Sequence, residues 1–134
     1  QDYKYFSKFN KKMIIGHGID LVEIDRVNNI YNKYKKSFIS KYFLNDQFKT
    51  INTNLLANNF AIKEAFSKSI GMGFRFPCYP NNIVVSRNKF GKPAISLKNK
   101  LESYLNDTFG KYVIHVSLTD TKLYSIASVI IEQS

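Results

Sequence analysis

The sequence predicts an α+β domain in which helices pack against a mostly antiparallel sheet. Three observations predict it. An apolar strand interrupted by two glycines opens the region from Met13, helical periodicity dominates the middle of the chain, and its end alternates as a pair of strands. The 134 residues fit one domain, and a hydrophobic share of 44% with 15% aromatics is enough for a core. We place that domain at residues 13–134 and treat residues 1–12 as an N-terminal extension.

Residues 13–22 read as a buried strand running into a turn: Ile14 and Ile15, then Gly16 and Gly18, then Ile19, Asp20, Leu21 and Val22. An amphipathic helix follows, with Ile24, Val27, Ile30 or Tyr31, and Tyr34 at helical spacing. Next comes a basic stretch, Lys33, Lys35, Lys36 and Lys41, with no acid between Asp25 and Asp46. Asn45 and Asp46 are in position to start a short helix containing Phe48 and Ile51. The strongest helix covers residues 55–70, with Ile62, Phe66 and Ile70 as its apolar row and Gly71 and Gly73 as its stop. Residues 83–87 and 94–97 read as strands joined through Gly91 and Pro93. Residues 98–109 form a helix with Leu101 and Leu105 inward and Gly110 as cap. Residues 112–118 and 124–131 close the chain as a hairpin across residues 119–122.

A formal net charge of +10 favours acidic partners, whether polyanions, acidic proteins or phosphate-bearing small molecules. Cys78 stands alone, which excludes a disulfide framework and a cysteine-based zinc site. It reads as a small residue in a loop flanked by Pro77 and Pro80. No apolar run approaches the ~20 residues of a membrane span, so no membrane partner is expected. Residues 1–12 lack a signal-peptide core and read as a targeting remnant, a cloning remnant, or an extra strand or turn. The expected location is the cytoplasm, or the stroma of a plastid-like organelle if that segment is a targeting remnant.

Three features carry candidate chemistry. Asp20 leaves an apolar strand, so it is either aimed at a pocket by a rigid element or serves as a helix cap or turn carboxylate. Glu64 and Lys68, four apart on the long helix, share a face with the small residues Ala57 and Ala61. They form either an ordinary surface pair or part of a ligand site. Gly71, Gly73 and the turn Gly91-Lys92-Pro93 suit either close approach to a phosphate or simple capping and turning. No Walker loop or GxGxxG motif is present. His115 reads as structural and His17 as peripheral to a pocket. Asp20 and Glu64 taken together suit a hard cation such as Mg²⁺, which accepts one or two carboxylates and completes its shell with water and phosphate oxygens. Lys68 would complete a phosphoryl-transfer set.

These segments resemble the holo-acyl-carrier-protein synthase family of phosphopantetheinyl transferases. Three stretches carry the likeness: Gly16-His17-Gly18-Ile19-Asp20-Leu21-Val22-Glu23-Ile24; residues 60–68 with their Lys63-Glu64-Ala65 core, followed by Gly71 and Gly73; and His115-Val116-Ser117-Leu118 with the closing residues 127–132. Gly91-Lys92-Pro93 matches a turn of the family. The resemblance implies the family's α+β fold and a homotrimer with active sites between subunits. It implies Mg²⁺ as cofactor, held by Asp20 and Glu64, with Glu64 and Lys68 as the catalytic pair. Coenzyme A is implied as substrate, approached by Lys63, Lys68, Gly71, Gly73, Lys92 and Pro93. Acyl carrier protein is implied as partner, docking on Arg26, Lys33, Lys36 and Lys41, and the product would feed fatty acid biosynthesis. Two departures stand out. Asn59 occupies a position where many relatives have Arg, and Thr119-Asp120 stands where many have Ser-His. Lys63, Arg87 or Lys92 is the expected substitute for the absent charge. The alternative reading is a small basic RNA-binding module, a nucleic-acid partner that the absence of an RNP-like aromatic motif and of a GXXG loop argues against.

Overall fold

The computed structural model describes residues 13–134; the N-terminal extension expected at residues 1–12 lies outside the described residues. β1 (Ile14–Glu23) leads directly into α1 (Ile24–Tyr34), followed by α2 (Lys36–Tyr42) and the long α3 (Thr53–Ser69). A 3-10 turn (Pro80–Asn82) precedes β2 (Ile83–Arg87) and β3 (Pro93–Leu97). α4 (Asn99–Phe109), β4 (Tyr112–Asp120) and β5 (Tyr124–Gln133) complete the chain. The fold is α+β, as predicted, and the strand pairs are antiparallel. They divide into two sheets: β1, β5 and β4 side by side in that order, and a separate ribbon of β2 with β3.

Two stretches differ from the sequence reading. Part of the basic segment is helical, because α2 occupies Lys36–Tyr42 and is set off from α1 by Lys35 at φ +42. The helix expected to start at Asn45 and Asp46 does not form, and residues 43–52 are irregular. The reason is that the Asp46 carboxylate turns inward. It accepts from Lys63 Nζ at 2.8 Å, from Asn59 Nδ2 at 3.0 Å and from the Val85 amide at 3.2 Å, so it caps nothing.

α3 positions the rest. Its start is set by Asn52, whose side chain accepts from the Leu55 amide at 2.9 Å, as an N-cap does. It ends where Gly71, at φ +69, lets the amides of Gly71 and Met72 bond back to Lys68 and Ser67. Between these ends it is buried on nearly every side. Leu56, Ala61, Ile62, Ala65 and Phe66 share one core with Val22, Ala127, Val129 and Ile131 of the sheet. Phe38, Tyr42, Phe43, Phe60 and Phe74 form an aromatic cluster around it.

The contact of α3 with β1 explains the two strand glycines. Residues 16, 18, 20 and 22 lie on one face by strand alternation. A Cβ on Gly16 would stand 1.8 Å from the Ser69 carbonyl oxygen, and one on Gly18 would stand 1.9 Å from that of Ala65. The helix backbone therefore rests on the strand backbone, at a distance only glycine permits. The next residue on that face is Asp20, which the packing delivers to the second half of α3. Among the described residues no helix is long and apolar enough to cross a membrane.

Candidate active site

Asp20 is the hinge of the site. Its side chain is 13% exposed, and its Oδ1 accepts from Lys68 Nζ at 2.9 Å. Lys68 also donates to the Ile19 carbonyl at 3.1 Å while staying 53% exposed. Lys68 thus pairs across to the strand. The surface pair with Glu64 that helical spacing allows is not the bond it makes. Asp20 Oδ2 is buried and has no hydrogen-bond partner. Glu64, one turn before Lys68, is half-buried, and its pKa is raised above the usual carboxylate value. Burial is the main cause and the charge of Asp20 adds to it, while Lys68 offsets part.

Asp20 and Glu64 open onto one cavity of about 310 Å³. Arg26 of α1 lines it, and Val27, Ile30, Phe38 and Phe60 give it apolar walls. The apolar walls were not anticipated from sequence, where Val27 and Ile30 read simply as the apolar face of an amphipathic helix. Arg26, expected on the docking surface for a carrier protein, stands on α1 at the rim of the same cavity as Glu64. Lys33, Lys36 and Lys41 are exposed on α1 and α2, the helices that wall the cavity. Lys33 and Lys41 lie over the rings of Tyr34 and Tyr42 at 5.2 and 5.4 Å.

Other expected site residues are elsewhere. Lys63, expected to approach coenzyme A, is fully buried. Its ammonium donates to Asp46, to the Pro80 carbonyl at 2.9 Å and to the Ile83 carbonyl at 2.5 Å. All three donors are used and none faces solvent, so Lys63 is a structural cation. Burial lowers its pKa, opposed by the Asp46 charge. Ala57 and Ala61 are also in the core and leave no room for a ligand. Gly71 and Gly73 do not line the cavity; both have positive φ, turn the chain after α3, and leave open space where a Cβ would stand. Lys92 and Pro93 do not line the cavity; Lys92 is exposed in the β2–β3 turn and Pro93 opens β3 opposite Arg87. His17 contacts Ser128 and His115 contacts Glu132, both exposed on the outer face of the sheet. Cys78 is buried, its thiol pushed up to about 12 by burial and by Glu64.

Asn59 is fully buried, and its Oδ1 accepts from Arg87 Nη1 at 2.9 Å while its Nδ2 donates to Asp46. Of the three cations expected to replace a charge at position 59, Arg87 is the one that reaches it. Asp120 accepts from the buried Asn58 at 3.0 Å, a bond that ties the end of β4 to α3.

The carboxylates suit a divalent cation of one kind. Among the described residues no group of three or more His, Cys, Asp and Glu side chains gathers. A lone pair of carboxylates is too few for a zinc site. It matches Mg²⁺, which takes one or two carboxylates and fills its shell with water and phosphate oxygens. The unpartnered Asp20 Oδ2 is an acceptor such a cation would satisfy.

The chain has close relatives. It is 35% identical over 131 residues to the holo-[acyl-carrier-protein] synthase of Wigglesworthia glossinidia brevipalpis, covering 90% of this chain and 94% of that protein. Its fold matches the crystal structure of holo-[acyl-carrier-protein] synthase from Neisseria meningitidis with a TM-score of 0.80 at 28% identity, covering 89% of this chain and 98% of that one. It matches the Bacillus anthracis synthase in complex with CoA (3',5'-ADP) with a TM-score of 0.72 at 26% identity, covering 91% and 99%. The family profile of the 4'-phosphopantetheinyl transferase superfamily covers residues 16–125. With that match over most of its length, and with the aligned relatives agreeing, the chain belongs to the 4'-phosphopantetheinyl transferase superfamily.

Proposed function

We propose that this chain is a holo-acyl-carrier-protein synthase. It moves the 4'-phosphopantetheine group of coenzyme A onto a serine of apo-acyl carrier protein and releases adenosine 3',5'-bisphosphate, supplying fatty acid biosynthesis. The observation that supports this reading is the convergence of Asp20 and Glu64 on a cavity walled by the basic helices α1 and α2, with Lys68 ion-paired to Asp20. The names of the matched relatives point the same way.

Asp20 and Glu64 would hold Mg²⁺, which supplies charge neutralisation at the coenzyme A pyrophosphate. The chain's own residues do the rest. Lys68, fixed by Asp20 and the Ile19 carbonyl, sets an ammonium beside the reacting phosphate, where it stabilises developing charge. Its ion pair with Asp20 keeps that ammonium in place, which leaves Glu64 to take the proton of the serine hydroxyl through a water. The hydroxyl oxygen bonds to the phosphorus that bears pantetheine. The bond from that phosphorus to the oxygen of the adenosine-side phosphate breaks, and the bisphosphate leaves with the electron pair. Arg26 at the rim and the lysines beside it offer an acidic carrier protein its docking surface.

A homotrimer is part of this proposal. It is supported by the outer face of the β1–β5–β4 sheet, where Ile19, Leu21, Val113 and Tyr124 are exposed. Sedimentation should find a species of about three chain masses, and an active monomer at all concentrations would refute it.

The deciding test is mass spectrometry of apo-acyl carrier protein after incubation with the chain, coenzyme A and Mg²⁺. The expected result is a mass gain of one phosphopantetheine that is lost when the metal is chelated. An unmodified carrier protein with metal present would overturn the reading. The RNA-binding alternative gains no support from the matched relatives; calorimetry with a short RNA should show no binding at physiological salt.

A further inference from the structure

Both histidines of the chain stand in one row on the outer face of the three-stranded sheet. His17 of β1 and His115 of β4 each pair with Ile130 of β5, one on either side of it. Strand alternation gives this face the odd-numbered residues 17–23 of β1 and 113–119 of β4, and the even-numbered residues 124–132 of β5. None of these is Lys or Arg, in a chain that has 20 of them. A chain of net charge +10 repels its own copies wherever cations meet. A face free of cations, with Ile19, Leu21, Val113 and Tyr124 exposed, is one on which it can meet a second copy. An acidic partner would find no counter-charge there.

The two histidines differ in what they meet. His115 Nε2 lies 3.2 Å from Glu132 Oε1, so a charge on this ring has a carboxylate beside it. His17 Nε2 lies 3.1 Å from Ser128 Oγ, a neutral hydroxyl. Glu132 stands one row beyond His17, but His115 engages its carboxylate. Glu23, the other carboxylate of the face, is three rows away. The strand β3, which neighbours β4, contains no charged residue. α3 packs on the opposite face of β1, where Asp20, Glu64 and Lys68 stand, and Arg26 of α1 lines the cavity on that inner side. His17 is thus the one ionisable ring of the face without a charged partner.

We propose that His17 is an acid-sensitive switch of self-association through this face. The inference rests on the homotrimer reading given above and adds its regulation. Histidine is the side chain whose charge ordinarily changes between pH 5 and 8. On a free chain both rings are exposed and water solvates either form. A second copy laid over the face removes that water. An imidazolium at 115 keeps Glu132, whereas one at 17 keeps only a hydroxyl, and its desolvation is not offset. Covering the face therefore favours the neutral form of His17. The assembly binds fewer protons than the free chains, so association is strongest above the histidine range and weakens as pH falls through it.

Sedimentation of the whole chain at pH 7.5 and pH 5.5, in 0.15 M and 0.5 M salt, tests this. The association constant should fall at least ~10-fold from the higher pH to the lower. The fall should persist in 0.5 M salt, because loss of hydration at a covered ring is not screened as long-range repulsion between chains is. His17→Gln keeps a polar side chain that cannot gain a proton in this range. It should assemble like the parent at pH 7.5 and hold that association to within about twofold at pH 5.5. His115→Gln should keep the parent's fall. The inference is overturned if the parent associates equally at both pH values, if the fall survives in His17→Gln, or if it disappears in 0.5 M salt. These outcomes leave the homotrimer untouched. A parent that is monomeric at pH 7.5 would instead overturn the homotrimer reading, and the switch with it.

Discussion

Gly18→Ala puts the architecture of the site to a direct test. Gly18 does not have positive φ, so alanine meets no backbone penalty there and the whole cost is steric. The added Cβ would lie 1.9 Å from the Ala65 carbonyl oxygen and 2.7 Å from the Ser69 amide, both backbone atoms that cannot rotate away. Reaching ordinary contact at 3.4 Å requires α3 and β1 to part by about 1.5 Å. Overpacking of this kind costs roughly 1–3 kcal/mol, or about 3–15 °C in Tm for a chain of this size. The catalytic effect should be larger than the stability effect. Glu64 and Lys68 ride on α3 and Asp20 on β1, so parting the two elements breaks the 2.9 Å Lys68–Asp20 bond and opens the carboxylate pair. A displacement near 1 Å can cost ~10²-fold in rate. Carrier-protein modification followed by mass spectrometry reads the rate, and thermal unfolding reads the stability. Gly110→Ala is the control: its Cβ would face open space but its φ of +69 is strained for alanine, so it should cost roughly 1–3 kcal/mol and leave the rate unchanged. Parent-like activity and Tm in Gly18→Ala would refute the claim that strand and helix backbones set the site.

The other variants separate chemistry from structure. Asp20→Asn and Glu64→Gln should each abolish transfer with little change in Tm, measured by carrier-protein mass gain at ordinary Mg²⁺; full activity in both would remove the metal assignment. Lys68→Ala should slow transfer by ~10² or more, and a rate within twofold of the parent would return Lys68 to the role of a surface cation. Lys63→Met should leave the KM for coenzyme A unchanged in the folded fraction but lower stability in urea by about 3–5 kcal/mol, because it strands the buried Asp46 carboxylate. A raised KM with parent stability would restore Lys63 to the binding site. Arg26→Glu should raise the KM for the carrier protein and flatten its salt dependence, since exposed charges act over ~10 Å at 0.1 M salt; an unchanged salt profile would move docking elsewhere.

How far the site was legible in the sequence depended on whether its determinants were local. Asp20 was, because alternation alone places it on one face with Gly16 and Gly18. What those glycines admit was not, since the answer is the backbone of α3, some fifty residues downstream. Lys63 and Lys68 show the limit most clearly. They sit five apart on one helix, in similar company, and the sequence does not say which of them faces a site. At about 100° per residue, five residues turn a side chain to a net ~140°, so the two lysines cannot share a face. Which face is the cavity and which the core is decided by the partners each finds. Lys68 meets Asp20 from the strand that the glycines bring close, and Lys63 meets Asp46 from a segment with no regular structure. Asp46 was read as a helix start because Asn-Asp is a common capping signal, and nothing local marks it as buried. Its place is fixed by Lys63, Asn59 and Val85 jointly, from two separate elements. The same network explains why Asn59 need not mean a lost charge. An arginine at that position would place a second cation beside Lys63; asparagine instead bridges Asp46 to Arg87, and the positive charge stands one hydrogen bond further out.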